Sequence, residues 1–321
     1  MINSFTSHIL MVRPARFGFN PQTALTNAFQ DPSLKKKQEE LTEKAKEEFD
    51  AFVEKLKAAG VEVNVVFDTE EPAKPDAVFP NNWISTHEDG TVILYPMCAL
   101  NRRIERRRGV LELLATQYTI SQEVDMSHYE EDGMYLEGTG SLILDRCNKI
   151  CYACFAERTH PELLKLFEEK TGYKTIGFTS TDAHGTPVYH TNVMFSVAQH
   201  YAVVCLESIE NENERQRVIE SLAATGKEII AITREQMGQF AGNVLEIGSQ
   251  VGESILAMSE QAYKAFTPAQ LEVINRYSKI VHSPLYTIEQ AGGGSARCMI
   301  AELYLPLKTK PLQEEEEAIA S

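Results

Sequence analysis

Between Asp31 and Gly60, the apolar residues Leu34, Leu41, Ala45, Phe49, Phe52, Val53 and Leu56 recur at spacings that put them on one helical face, with Lys and Glu between them. The pattern predicts a helix over 32–59, with Asp31 as N-cap, Pro32 at its first position and Gly60 as its stop. The period then changes. VEVNVVF is rich in β-branched residues and reads as a strand. After a short loop, WIST and TVILYP flank HEDG as a hairpin.

The same order of helix, strand and hairpin returns. IERRRGVLELLATQ precedes the hairpin GSLILD–RCN–KICYACF. THPELLKLFEEK precedes YKTIGF and then NVMFSVAQHYAVVCLES. NERQRVIESLAATG precedes KEIIAIT and NVLEIGSQVGESILAMS, and TPAQLEVINRYS precedes KIVHSPLYTIEQ and RCMIAELYLP. Hairpin starts recur roughly every 50–60 residues, the range of repeat architectures. Five units are visible. The last strand has no sequential partner, and SHILMVRP near the N-terminus is positioned to pair with it and close a ring.

Composition narrows the function classes. A net charge of −15 argues against a nucleic-acid partner, which would need a basic footprint. No apolar run approaches the roughly 20 residues of a membrane span. MINSFTSHIL lacks the parts of a secretion signal, so a cytoplasmic location is expected. The tail over 311–321 is acidic and reads as a solvated end beyond one catalytic domain over 1–310. The basic cluster NRRIERRR reads as a helix surface.

Three of the six cysteines, Cys147, Cys151 and Cys154, have the C-x3-C-x2-C spacing that elsewhere holds an iron–sulfur cluster. Here the first falls in a hairpin turn and the other two in a strand. Alternation along the strand sends Cys151 and Cys154 to opposite faces, so neither a cluster nor a zinc site is expected. No cofactor is implied.

The repeat singles out the residue at each hairpin start: Asn82 in FPNNW, Glu137 in LEGTGSL, His190 in PVYHTNVMF, Asn243 in FAGNVLEI and Cys298 in GGGSARCMI. In a ring of five units these positions converge. A carboxylate, an imidazole and a thiol would then meet from distant parts of the chain. A thiolate is a strong nucleophile, an imidazole shuttles protons near neutral pH, and a carboxylate holds a planar donor group by paired hydrogen bonds. Together they suit attack on a carbon flanked by nitrogens, as in a guanidinium or ureido group. Taken singly, each residue also fits ordinary core or turn structure.

These residues resemble the guanidino-group modifying superfamily of arginine deiminases, dimethylarginine dimethylaminohydrolases and amidinotransferases, over nearly the whole chain. The resemblance implies a five-bladed α/β propeller (the pentein fold) with Cys298 as nucleophile, His190 as general acid/base and Glu137 as the orienting carboxylate. PDAVFPNNW resembles a substrate-binding stretch in which Asp76 matches an acid, while Asn81 and Asn82 replace two others. FAERTHP resembles a segment whose arginine, here Arg158, takes the substrate α-carboxylate. Asn192 stands where arginine deiminases carry an Asp. FPNNW and GGGSARC look most like a bacterial amidinotransferase-like, citrulline-utilization hydrolase branch. The implied activity is hydrolysis of a C–N bond in an arginine-derived guanidino or ureido group. An amidinotransferase and a non-catalytic amino-acid-binding relative are the alternatives. The expected partner is a small arginine- or citrulline-like molecule, with a homodimer as a further possibility. Acid-to-amide changes at Asn81, Asn82 and Asn192 tilt the expected substrate toward a neutral ureido group.

Overall fold

The computed structural model describes residues 5–308, so the acidic tail over 311–321 lies outside the described residues. The first predicted helix is present as a 3-10 turn, Pro32–Lys36, followed by the α-helix Gln38–Ala58. Asp31 caps the turn by accepting from the Ser33 N–H, and Gly60 ends the run at φ +88°. Leu41, Ala45, Phe49, Phe52, Val53 and Leu56 are buried. They pack with Ile9 and Val63 from one sheet and Ile247, Ile255 and Val281 from another.

Among the described residues the strands form five three-stranded sheets of one design. Two strands pair antiparallel as a hairpin. The chain then crosses through helix or loop, and a third strand pairs parallel with the hairpin's second strand. The first sheet holds Ile84–Thr86, Thr91–Leu94 and Gln122–Asp125. The second holds Ile143–Asp145, Ile150–Cys154 and Lys174–Phe178. The third holds Phe195–Val197, Tyr201–Val204 and Glu228–Ala231. The fourth holds Leu245–Gly248, Ser254–Ser259 and Lys279–Ser283. Each strand that follows a helix therefore joins the hairpin before it, so the packed unit is offset from the helix–strand–hairpin order in which the sequence reads.

The fifth sheet has no hairpin of its own. Ala301–Glu302 pairs antiparallel with His8–Arg13, with Ile9 opposite Glu302 and Leu10 opposite Ala301, and His8–Arg13 pairs parallel with Glu62–Phe67. The predicted partnership of the N-terminal strand with the last strand is thus present. The architecture is mixed α/β with small separate sheets, none of which closes on itself.

Cys151 packs in one core cluster and Cys154 in another, as strand alternation requires. Cys147 is exposed. No described helix is long and apolar enough to cross a membrane.

Candidate active site

The starts of the hairpins meet. Glu137 is fully buried just before the short helix Gly138–Ser141. Its Oε2 accepts from His190 Nε2 at 2.8 Å and lies 3.5 Å from Arg158 Nη1. Its Oε1 accepts from the Cys98 N–H at 3.0 Å. Burial alone would raise this carboxyl, but Arg158 and the hydrogen bond from His190 outweigh it and hold Glu137 below the usual carboxylate range. Burial pushes His190 down to about 4, against the pull of Glu137. The pair is therefore a carboxylate and a neutral imidazole. Nε2 carries the proton toward Glu137, which leaves Nδ1 as the basic nitrogen.

Glycine is required beside this pair. Gly138 has φ +46°, and a Cβ on it would lie 2.3 Å from the Asn81 carbonyl oxygen. A Cβ on Gly140 would lie 2.5 Å from Asn82 Nδ2 and 2.9 Å from His190 Nδ1. The second sheet's entry can approach the first and third only because these side chains are missing.

Cys298 follows the helix Tyr286–Gly292 and the glycine turn at its end. It is buried, and its Sγ accepts from two amides, Asn192 Nδ2 at 3.3 Å and Asn243 Nδ2 at 3.2 Å. The Asn243 orientation is unambiguous. Its Oδ1 accepts from the Arg297 N–H at 3.1 Å, and its Nδ2 also donates to the Asn192 carbonyl at 2.9 Å. The sulfur thus rests between two neutral amide donors, with no cation hydrogen-bonded to it among the described residues.

A second chain of contacts fixes the polarity of Asn81 and Asn82. Arg102 can only donate, and its Nη1 does so to Asn82 Oδ1 at 2.7 Å. Asn82 Nδ2 must then point the other way, and it donates to Asn81 Oδ1 at 3.0 Å. Asn81 Nδ2 is left as a buried donor with no partner. Asp76 Oδ1 and Asn192 Oδ1 are buried acceptors with no partner. The other Asp76 oxygen accepts from Asn20 at 2.7 Å and Thr23 at 3.1 Å, and burial outweighs these contacts and nearby Arg102 to raise its pKa.

A cavity of about 10 Å³, room for about one water, lies between Asp76, Asn82, Arg102, Arg158, His190 and Cys298. A loop over 14–31 covers it. Asn27 donates to the carbonyls of Gly292 and Gly293, and Gln30 to that of Gly292. Arg158 donates to the Thr23 carbonyl at 2.9 Å and to Thr26 Oγ1 at 2.6 Å, with its guanidinium 5.0 Å from the Tyr189 ring centre.

Of the site residues expected from the sequence, Asp76, Asn82, Arg158, His190 and Cys298 line this cavity, while Glu137, Asn81, Asn192 and Asn243 stand behind it, bonded to lining residues. One expectation is corrected. NRRIERRR is not a helix surface throughout, because Arg102 and Glu105 are buried and ion-paired at 2.9 Å while Leu100 and Ile104 are exposed. A four-residue helix, Leu100–Arg103, has no complete face for hydrophobic periodicity to mark. The covering loop was also missed, since Asn20, Thr23, Asn27 and Gln30 follow no period.

The family model described as N,N dimethylarginine dimethylhydrolase, eukaryotic, matches residues 13–305. The chain belongs to this family. No curated protein matches it by sequence. Among solved structures, this dimethylarginine dimethylhydrolase family member is similar to the apo form of ArgZ, an arginine dihydrolase from the ornithine–ammonia cycle in cyanobacteria, with 16% identity and a TM-score of 0.71. That match covers 95% of this chain but 41% of ArgZ, so the chain spans less than half the length of that protein. The N-terminal domain of ArgZ bound to substrate matches at 18% identity and TM-score 0.71, covering 93% of this chain and 99% of the domain. A dimethylarginine dimethylaminohydrolase adduct with S-methyl-L-thiocitrulline matches at 17% identity and TM-score 0.61, covering 93% and 99%. At these identities the likeness is one of fold, and it is the family match over residues 13–305 that places the chain among the guanidino-modifying penteins.

Proposed function

We propose that this chain is a hydrolase that cleaves a C–N bond of an arginine-derived ureido or guanidino group through a covalent intermediate on Cys298. The observation that carries the reading is the buried Glu137–His190 pair, whose histidine shares one cavity with a cysteine held by two amides. The five like sheets, with the last strand paired to the first, support a five-bladed propeller around this site, and we read 1–310 as one catalytic domain.

The chemistry follows from the resting state. His190 is neutral, so Nδ1 takes the thiol proton as the sulfur attacks the central carbon of the substrate. The same proton goes to the departing nitrogen as the C–N bond breaks. Water then attacks the carbon bound to sulfur, loses a proton to Nδ1, and the Cys298 thiol is restored. Glu137 holds the ring in place and favours the imidazolium formed between these transfers. Arg158 is the group for the substrate carboxylate, which would replace its contacts with Thr23 and Thr26.

Within this class we favour a ureido substrate such as citrulline. A guanidinium has five N–H donors and no acceptor, whereas a ureido group adds a carbonyl oxygen. The donor that Arg102 leaves unpaired at Asn81 Nδ2, buried just behind the lining, suits that oxygen once the cavity widens around a substrate, and the acceptor on Asp76 suits its N–H groups. An unpaired buried donor costs about 1–3 kcal/mol, on the order of 10–100-fold in discrimination. A panel of citrulline, arginine, methylarginines and agmatine, assayed for ornithine, citrulline, amine and ammonia, tests the reading. Citrulline is expected to yield ornithine, ammonia and carbon dioxide at the highest kcat/KM, and an Asn81→Glu/Asn82→Asp variant to shift preference toward arginine. Full activity on the true substrate after Cys298→Ala would exclude the mechanism.

A further inference from the structure

The strands that leave the site end at a second cavity. Ile84–Thr86 starts beside Asn82 and stops before His87, and Ile143–Asp145 starts beside Ser141 and stops before Arg146. Between these far ends lies a cavity of about 230 Å³. Its lining is divided by charge. The turn of the first hairpin contributes Glu88 and Asp89. The second hairpin contributes Arg146 and Lys149, and the end of the helix Pro161–Thr171 contributes Lys170.

Arg146 is only 5% exposed. Its Nε makes no hydrogen bond, with Glu302 Oε1 at 3.4 Å, and its guanidinium sits 3.8 Å from the Tyr304 ring centre. Glu302 is shared, because Arg297 Nη2 also donates to it at 2.8 Å. One carboxylate thus serves two buried guanidiniums, which leaves an excess of buried positive charge beside the cavity. Such charge is favourable only when paired, and a carboxylate matches an arginine fork by paired hydrogen bonds. Lys149 and Lys170 add to the attraction. In a chain of net charge −15, a wall with three cations is out of character.

A simple oxyanion would also meet Glu88 and Asp89, and a simple cation would meet the three basic groups. A molecule carrying both charges on one carbon suits both walls. The described residues contain no group of three His, Cys, Asp or Glu able to hold a metal. His87 supplies a neutral wall, since burial, with Arg146 and Lys149 adding to it, pushes its pKa down to about 3.

We propose that this cavity binds a free α-amino acid, with its carboxylate on Arg146 and Lys149 and its α-ammonium on Glu88 and Asp89. L-ornithine is the first probe. That choice rests on the proposed hydrolysis, but the site itself does not.

Calorimetric titration tests it, comparing the wild type with Lys149→Asn/Lys170→Glu. Asn suits the φ of +52° at position 149, and neither lysine belongs to the Cys298 site. The wild type is expected to bind two L-ornithine per chain and the double variant one, with turnover within about twofold of wild type. δ-Aminovalerate, which lacks the α-ammonium, and putrescine, which lacks the carboxylate, should each leave the cavity unfilled. Equal stoichiometry in the two proteins would overturn the proposal, and so would filling of the cavity by either analogue. Lysine-dependent binding that persists in a Cys298→Ala protein keeps this result separate from any failure of the hydrolase reading.

Discussion

The two ends of the same short strands differ in how they handle charge. At the Cys298 end, amides, a neutral imidazole, the buried carboxylates of Glu137 and Asp76 and the buried guanidiniums of Arg102 and Arg158 surround a cavity of about 10 Å³. At the other end, Arg146, Glu302 and Arg297 form a buried ionic chain next to a larger cavity of about 230 Å³. Each end holds a buried histidine whose pKa burial lowers, His190 to about 4 and His87 to about 3. The difference lies in their neighbours. His190 donates to Glu137, which favours its charging during a reaction, whereas His87 adjoins Arg146 and Lys149, which oppose it. Five similar sheets thus place residues in similar positions, and the neighbouring charges decide which histidine can carry a proton.

The strongest way to break this comparison is at the sulfur. Cys298→Ala should lower turnover by at least about 10⁴-fold while the circular dichroism spectrum and Tm stay close to wild type. Next, Glu137→Gln should reduce kcat about 10²–10³-fold by releasing the imidazole, read by steady-state kinetics. The matching change at the far end, Glu302→Gln, should act on stability instead. It strips the shared carboxylate from two guanidiniums, so urea denaturation should show a loss of about 3–5 kcal/mol. A kcat effect of Glu302→Gln as large as that of Glu137→Gln would erase the distinction between the ends.

A smaller effect is expected in the amide cradle. Asn243→Ala removes one donor to the sulfur and should slow iodoacetamide alkylation of Cys298 about tenfold at fixed pH, with Asn243→Gln recovering part of the rate. The last concerns acid stability. Both histidines have folded pKa values below the ordinary 6.5, so below that pH the unfolded chain binds more protons than the folded one. Their contribution is complete above about pH 6.5 and is lost as pH falls toward 4 for His190 and 3 for His87. Each accounts for up to about 1.4 kcal/mol per pH unit. Replacing His87 with Asn should flatten the fall of Tm between pH 6 and 4 by one proton's share.

Much of this was legible because repetition supplied context that single residues lack. His190, Glu137 and Cys298 are each unremarkable alone, but they share a position in the repeat, and the hydrogen bonds among Glu137, His190, Asn192, Asn243 and Cys298 show those positions converging. Strand parity also sufficed to separate Cys151 from Cys154. Arg102 was beyond reach of pattern. It is buried beside exposed Leu100 and Ile104, the reverse of an amphipathic helix, because its partners Glu105 and Asn82 decide its place. The pairing of each post-helix strand with the preceding hairpin was equally hidden, since strand order along the chain is compatible with either neighbour. The covering loop owes its position to Asn27 and Gln30 reaching backbone carbonyls at 292 and 293, contacts that leave no period in the sequence.

The fifth sheet has a consequence for synthesis. His8–Arg13 emerges early and can join Glu62–Phe67, but its other edge waits for Ala301–Glu302. At 5–20 residues per second, that interval is roughly 15–60 s. Cys298 lies just ahead of the closing strand, and the amides that hold it come from the third and fourth sheets. A nascent chain therefore carries the Cys298 thiol only after every other part of its cradle has been made. Chains that stop short of residue 298 keep that strand edge open to pairing with other chains and lack the Cys298 thiol.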